Sequence, residues 1–410
     1  MKILFLDAYF EPEQTSYTHL EADLLDCLTN DGNEVQIICP TPTRGISDEI
    51  RKKYKNKKKE SRGKGVSVLR FCAPDEGKNP LIRAIRYFWC NLKTLQLGKR
   101  MKGIDAVFSN STPPTQGFIA AKVAKKLKVP FIFNLQDIFP DSLVNTGMTK
   151  KGSLLYKIGR RIENYTYNNA AKIIVIGESF KQNIIEKGVP EEKIAVIPNW
   201  IDAEEVKPVS REDNKLFDEY NIDRYKFIVL YAGNFGASQG TNVILDAARL
   251  LKNEKNIQFV LFGGGSEFES AKTAVHERGL TNVFINPLLP PERISEVYSM
   301  GDVALITCKK GVGKAAMPSK ALSIMACNTP IIASFDTDSD LSALLEESGG
   351  GICIEPESKE LLANKIEIKY NERFSSAKRK CNSREYIINN FSQDICLSEY
   401  LREIKNPIGS

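Results

Sequence analysis

Short apolar runs recur along this chain, and a stretch of helical period follows nearly every one. Strands are predicted at 3–8, 34–39, 65–71, 105–109, 130–135, 172–176 and 194–198, then at 227–233, 257–262, 283–286, 302–307, 331–335 and 351–354. Helices are predicted between them, at 17–30, 80–101, 115–127, 152–169 and 178–187, then at 240–252, 266–278, 291–299, 318–327, 339–346 and 358–370. Apolar strands alternating with helices imply parallel sheets covered on both faces. At 410 residues the chain exceeds one ordinary core. Residues 201–225 are polar, contain Pro208 and show no period, so the boundary is placed there. The expected domains are 1–205 and 206–385, with a helical tail over 386–410.

Composition narrows the class. The hydrophobic share of 42% and the charged share of 26% suit a soluble globular protein. No apolar run reaches the length of a membrane span. The opening Met1-Lys-Ile-Leu-Phe-Leu-Asp7 reads as a strand and not as a signal peptide. Nine cysteines without a CxxC pair fit buried thiols in a reducing cytoplasm better than disulfides or zinc.

In parallel sheets ligands sit beyond the carboxyl ends of the strands. In the first half that points to loops Tyr9–Ser16, Asn110–Thr115, Gln136–Asp141 and Gly177–Ser179. Thr15, Ser16 and His19, in or beside the first loop, are candidate ligand contacts, and Asp137 in the third is a candidate positioning residue. Asp137 equally suits a capping role. The first loop lacks GxGxxG, which disfavours a dinucleotide-dependent dehydrogenase.

In the second half, Gly233-Asn-Phe-Gly236 and Phe262-Gly-Gly-Gly-Ser266 follow strands and let backbone approach a ligand closely. Gly236 and Gly264 are the candidates there. Pro287-Leu-Leu-Pro-Pro291 makes an apolar corner, with Leu289 suited to a flat base. Gly311–Pro330 reads as a glycine-rich loop, then a helix with Pro318 at its first position. The free amides of Ser319 and Lys320 in that first turn, with the Lys320 side chain, suit a phosphate. Lys314 is a second candidate cation. Asp336-Thr-Asp-Ser-Asp340 resembles a DxD metal motif but lies where Asp and Ser cap a helix, and it is read as capping.

The net charge of +6 is unevenly placed. Residues 51–64 are nearly all cationic, and a helix follows in which Leu81, Ile85, Phe88, Trp89, Leu92 and Leu95 share a face flanked by Arg83, Arg86, Lys93 and Arg100. A basic, aromatic, amphipathic helix beside a polybasic loop suits an anionic membrane surface through 51–64 and 81–100. An ordinary core-facing helix with a solvated loop is the alternative. No helix-turn-helix, zinc or RNP pattern accompanies the charge, so nucleic acid is not an expected partner.

Several stretches resemble the retaining glycosyltransferases of family 4. They are Tyr9-Phe-Glu-Pro-Glu13, Ile138-Phe-Pro-Asp-Ser142, Val196-Ile-Pro-Asn-Trp-Ile-Asp202, Tyr231-Ala-Gly-Asn-Phe-Gly236, Phe262-Gly-Gly-Gly-Ser266 and Pro318-Ser-Lys320 with Met325-Ala-Cys327. The resemblance implies the GT-B fold, an α/β architecture of two Rossmann-like domains facing across a cleft, with the C-terminal helix returning to the N-terminal domain. It implies a UDP-sugar donor, no cofactor and metal-independent chemistry. The subgroup it resembles adds amino sugars, N-acetylfucosamine among them, to lipid-linked saccharides of O-antigen or capsule at the cytoplasmic face of the membrane. Many members carry two glutamates where this chain has Ala315 and Ser323, and an Arg and a Lys where it has Asn234 and Gln239. Lys314 and Lys320 are taken as substitutes for the missing cations, with the amides of Gly236 and Ser319 beside them, and Ser323 as a candidate ribose contact. A GT-B sugar-nucleotide epimerase and a non-catalytic sugar-nucleotide-binding partner are the alternative functions.

Overall fold

The computed structural model describes residues 1–13, 15, 17–75, 80–145, 147–315, 317–373 and 382–408. The chain divides into two compact units, Met1–Asn199 with Cys396–Ser410, and Trp200–Ile395.

The first unit runs β1 (Lys2–Leu6), α1 (Thr18–Asn30), β2 (Glu34–Pro40), α2 (Asp48–Tyr54), β3 (Lys59–Ser61), β4 (Val66–Phe71), α3 (Pro80–Gly98), β5 (Ala106–Asn110), α4 (Gln116–Leu127), β6 (Phe131–Leu135), α5 (Asp141–Asn145), α6 (Leu154–Asn169), β7 (Lys172–Val175), α7 (Glu178–Glu186) and β8 (Ile194–Val196). Its sheet order is β3-β4-β2-β1-β5-β6-β7-β8. The order reverses direction between β1 and β5, which pair in parallel from Ile3↔Ala106 to Leu6↔Ser109.

The second unit runs α8 (Leu216–Glu219), β9 (Phe227–Asn234), α9 (Asn242–Leu250), β10 (Ile257–Gly264), α10 (Phe268–Glu277), β11 (Val283–Pro287), α11 (Ile294–Ser299), β12 (Val303–Thr307), α12 (Lys320–Ala326), β13 (Ile331–Ser334), α13 (Asp340–Ser348), β14 (Gly351–Ile354), α14 (Lys359–Glu372) and α15 (Ser383–Phe391). Helix α16 (Gln393–Lys405) closes the chain, and from Cys396 onward it belongs to the first unit. The second sheet, β11-β10-β9-β12-β13-β14, is wholly parallel and reverses between β9 and β12. Its middle strands are buried along their length, as helices on both faces require.

Every predicted strand is present. The addition is β3, whose residues Lys59-Glu-Ser61 carry no apolar signal. It pairs antiparallel with β4 and is fastened by Glu60, which accepts from Arg70 at 2.6 Å and from Lys57 at 2.5 Å. The polybasic run is therefore a helix and an edge strand, not an open loop, and Arg62 within it is paired with Glu11 and Asp26. Charged edges of this kind discourage strand-to-strand aggregation.

The first sheet holds a buried polar chain at its reversal point. Asn110 donates to Asp7 at 3.1 Å, Asn134 donates to Asn110 at 2.8 Å and to Tyr17 at 2.7 Å, and Tyr400 of α16 donates to Asn134 at 3.1 Å. Asp7 and Glu21 are both buried and hydrogen-bond to one another. Burial raises both carboxyl groups, Asp7 to about 6 and Glu21 well above the usual range. A raised carboxyl pKa makes ionisation costly in the folded state, fully so above the folded pKa and less as pH falls through it. Glu21→Gln keeps a donor for Asp7 and removes one titration. Its melting temperature is expected to exceed the parent's by a few degrees at about pH 8, with the gain shrinking as pH falls through 6 toward 4.5; calorimetry across that range checks it.

Candidate functional site

A cavity of about 500 Å³ opens in the second unit at the carboxyl edge of its sheet. Its lining comes from the ends of β9, β10 and β12, from Leu288–Pro291 after β11, and from the Val312–Lys320 loop before α12. It lies where the strand order reverses, the usual ligand position in such sheets. Its size is that of ordinary small-molecule sites.

Among the described residues lining it, Lys320 is the one charged side chain. Phe262, Leu288, Leu289, Pro290, Met317 and Phe335 supply an apolar wall. Helix α12 begins at Lys320, two residues later than predicted, because the Pro318 and Ser319 carbonyls accept i+3 bonds from Ala321 and Leu322 in a tight entering turn. The amides of Ser319 and Lys320 have no partner among the described residues. Burial holds the Lys320 ammonium at a pKa of about 8. Its nearest attraction is the Tyr231 ring, 4.2 Å away.

Asn234 and Gln239 both line the cavity and hydrogen-bond each other at 3.2 Å. Gly236 lies behind that pair, where a Cβ would come within 2.8 Å of both amide groups. Gly264 faces Asn234 in the β9–β10 register, and its carbonyl accepts from the Phe235 amide. The next residue, Gly265, has φ +117° and would put a Cβ 2.1 Å from Asn234 Oδ1, so side chains are excluded there twice over.

The loop from Gly311 is shaped by Asp336. This buried carboxylate accepts from the Gly311 amide at 2.9 Å and from the Gly313 amide at 2.8 Å. Ser339 caps α13 by accepting from Ser342, and Asp338 pairs with Lys314 at 2.5 Å in solvent. The Asp336–Asp340 stretch thus caps and braces, and no group of three or more potential metal ligands occurs among the described residues.

Of the predicted site residues, the structure brings Leu289, Ser319 and Lys320 into the cavity. Gly236, Gly264, Lys314 and Ser323 stand outside its lining, with Ser323 half-buried on α12. Asp137, Thr15 and His19 belong to the first unit. Asp137 accepts from the Ser142 hydroxyl and the Ile138 amide, and burial raises its carboxyl above the usual range. Thr15 bonds Thr18 at the start of α1, and His19 is exposed on its first turn. Ser16 lies outside the described residues. Sequence reasoning missed Tyr231 and Asp336, whose roles depend on partners 89 and 23–25 positions away.

Both units have relatives among known proteins. The family described as Glycosyltransferase Family 4 matches residues 22–205, and that described as Glycosyl transferases group 1 matches 212–391. A probable glycosyltransferase of Pseudomonas aeruginosa, WbjE, is 30% identical over 72% of this chain and 74% of its own. The putative colanic acid biosynthesis glycosyl transferase WcaI of Escherichia coli is 25% identical over 99% of this chain and 100% of its own. Among solved structures, Anabaena HepE in complex with UDP and glucose superposes with a TM-score of 0.70 at 16% identity, covering 99% of this chain and 100% of that one.

Removing the Asp336 brace should loosen one wall of the cavity. Asp336→Ala leaves two amides without their charge-assisted partner. Trypsin cleavage at Lys309, Lys310 or Lys314 is expected to run about tenfold faster than in the parent, read by mass spectrometry under native conditions.

Proposed function

Because the chain belongs to the glycosyltransferases, family 4 in its first half and group 1 in its second, we propose that it moves a sugar from a UDP-sugar to a lipid-linked saccharide, with retention. The observation that carries the donor assignment is the cavity itself. Among the described residues, one ammonium and the unpartnered amides of Ser319 and Lys320 stand at one end of it, against a long apolar wall. A nucleoside diphosphate has that division, charged at the phosphates and flat at the base. Anabaena HepE, solved in complex with UDP and glucose, supports the same choice. The sugar we propose is an N-acetylated amino sugar such as N-acetylfucosamine, destined for O-antigen or capsule. The name of the colanic acid relative supports a surface polysaccharide as the end product.

The barrier in such a transfer lies in expelling the diphosphate while positive charge grows on the anomeric carbon. Donors already in place where negative charge develops lower it most. Lys320 and the Ser319 and Lys320 amides fill that role. With same-face attack the leaving phosphate takes the acceptor proton, and no protein nucleophile is needed. The carboxylates of Asp336 and Asp338 are engaged by amides and by Lys314, so we propose metal-independent transfer.

The membrane is the partner we propose for the first unit. On α3, Ile85 is 64% and Phe88 71% exposed, with Ile82, Trp89 and Leu92 also exposed. Arg86, expected at the rim of this face, is instead buried and donates to the Pro74 carbonyl. The side chain of Leu81 lies outside the described residues. Helix α6 adds exposed Leu154, Leu155 and Ile158 beside Lys150, Lys151 and Lys157. Both helices follow strands of a parallel sheet and run back along it, so their N-terminal halves lie toward its carboxyl edge. Apolar side chains rimmed by cations suit an anionic bilayer, whose lipid-linked acceptor would then reach that edge. This face favours the transferase over an epimerase.

UDP release from a panel of UDP-sugars is expected to require a lipid-pyrophosphate saccharide and to be unaffected by EDTA. Lys320→Ala should lower the rate about 100-fold or more. Release without acceptor, or isomerised sugar, would count against transfer. Vesicles containing anionic lipid should float the parent protein, and Phe88→Asp with Leu92→Asp should leave it in the soluble fraction.

A further inference from the structure

Lys320 reaches the cavity with no anion beside it. No hydrogen bond or ion pair to its ammonium occurs among the described residues. What stands next to it is the face of Tyr231, 4.2 Å from ring centroid to Nζ. On another side, a Cβ added at Gly233 would stand 3.3 Å from the same Nζ. Gly233 has φ +149°, so its place is reserved for glycine by backbone as well as by space.

Tyr231 is itself held. It is fully buried, its hydroxyl donates to the Asn234 carbonyl at 2.7 Å, and its ring meets Phe235 edge-on, 5.2 Å apart at 84°. Phe235 in turn meets Phe268 edge-on. The ring is therefore fixed by packing and not by the ligand. An aromatic face attracts a cation, and more strongly out of water. A carboxylate in its place would compete with a diphosphate for the same N–H groups. A ring face attracts the charge from below and leaves the other side of the ammonium to the ligand.

We propose that Tyr231 is a positioning residue of the transfer reaction, its ring a seat that keeps the Lys320 ammonium charged and aimed at the donor diphosphate across the bare backbone of Gly233. The proposal rests on the reading of Lys320 as the diphosphate's cation. The other titratable groups around the cavity are Tyr231, Tyr298 and Cys308, and burial raises all three, Cys308 to about 12. The nearby Asp336 carboxylate is turned to the Gly311 and Gly313 amides. Lys320, lowered to about 8, is thus the group here whose charge changes near neutrality.

The test keeps the shape of the ring and withdraws its electrons. Position 231 is filled with phenylalanine and then with mono-, di- and trifluorophenylalanine. Competitive acetylation with mass spectrometry reads the Lys320 pKa, and calorimetry reads UDP affinity from about pH 7 to about pH 9. Tyr231→Phe, which gives up the hydroxyl bond to the Asn234 carbonyl, is the reference against which the fluorinated series is read. Fluorination should then lower the Lys320 pKa stepwise and move the alkaline loss of UDP affinity to lower pH, with about tenfold weaker binding near pH 8 for the trifluoro form. Comparison within the series cancels the titration of UDP itself. A pKa that does not move along the series overturns the seat. A falling pKa with unchanged UDP affinity, in the series and in Lys320→Ala alike, overturns the diphosphate reading and the positioning role with it.

Discussion

A parallel sheet covered on both faces has only its rims left for chemistry, and the rims are where its backbone groups lose their partners. In the second unit that constraint decides nearly everything about the site. The amides of Phe235, Gly311 and Gly313 are taken by the Gly264 carbonyl and by Asp336. Those of Ser319 and Lys320 have no partner among the described residues, beside an ammonium whose pKa burial lowers. The distinction between satisfied and unsatisfied groups at one edge is what separates a scaffold loop from a binding loop.

Electrostatics here work by scarcity. With a neutral amide pair at Asn234 and Gln239, the described lining of the cavity carries one cation. A single charge is worth more where little water screens it, and Phe262, Leu289, Met317 and Phe335 give the cavity an apolar lining. The same burial weakens the hold of Lys320 on its proton. The attraction proposed toward a diphosphate and the fragility toward alkali therefore have one cause.

The strands were legible because burial on both faces writes itself as unbroken apolar runs, as in Phe227-Ile-Val-Leu-Tyr-Ala232. Where burial is absent the signal fails: Lys59-Glu-Ser61 is a strand held by Arg70 and Lys57 pairing with Glu60, not by apolar content. Lys320 and Ser319 could be singled out from local pattern, a proline and glycines before a helix. Tyr231 looks like any core aromatic until the Lys320 ammonium is placed over its ring, and Asp336 looks like one more cap until its carboxylate meets Gly311 and Gly313. Glu21 did leave a trace, an acid among Leu20, Leu24, Leu25 and Leu28 on the buried face of α1. That trace names an oddity without naming its partner Asp7.

The hydrogen bond from Tyr400 to Asn134 has a consequence for synthesis. Asn134 lies in the middle of the first sheet, yet one of its partners is encoded after the whole second unit. While the ribosome is still making residues 200–395, the first unit has its strands but lacks the helix that completes its polar chain. Its folding cannot be finished in the order in which it is made. A nascent chain of this protein therefore carries an unclosed first unit for roughly half of its translation, and a truncation at the far end would be felt at the beginning.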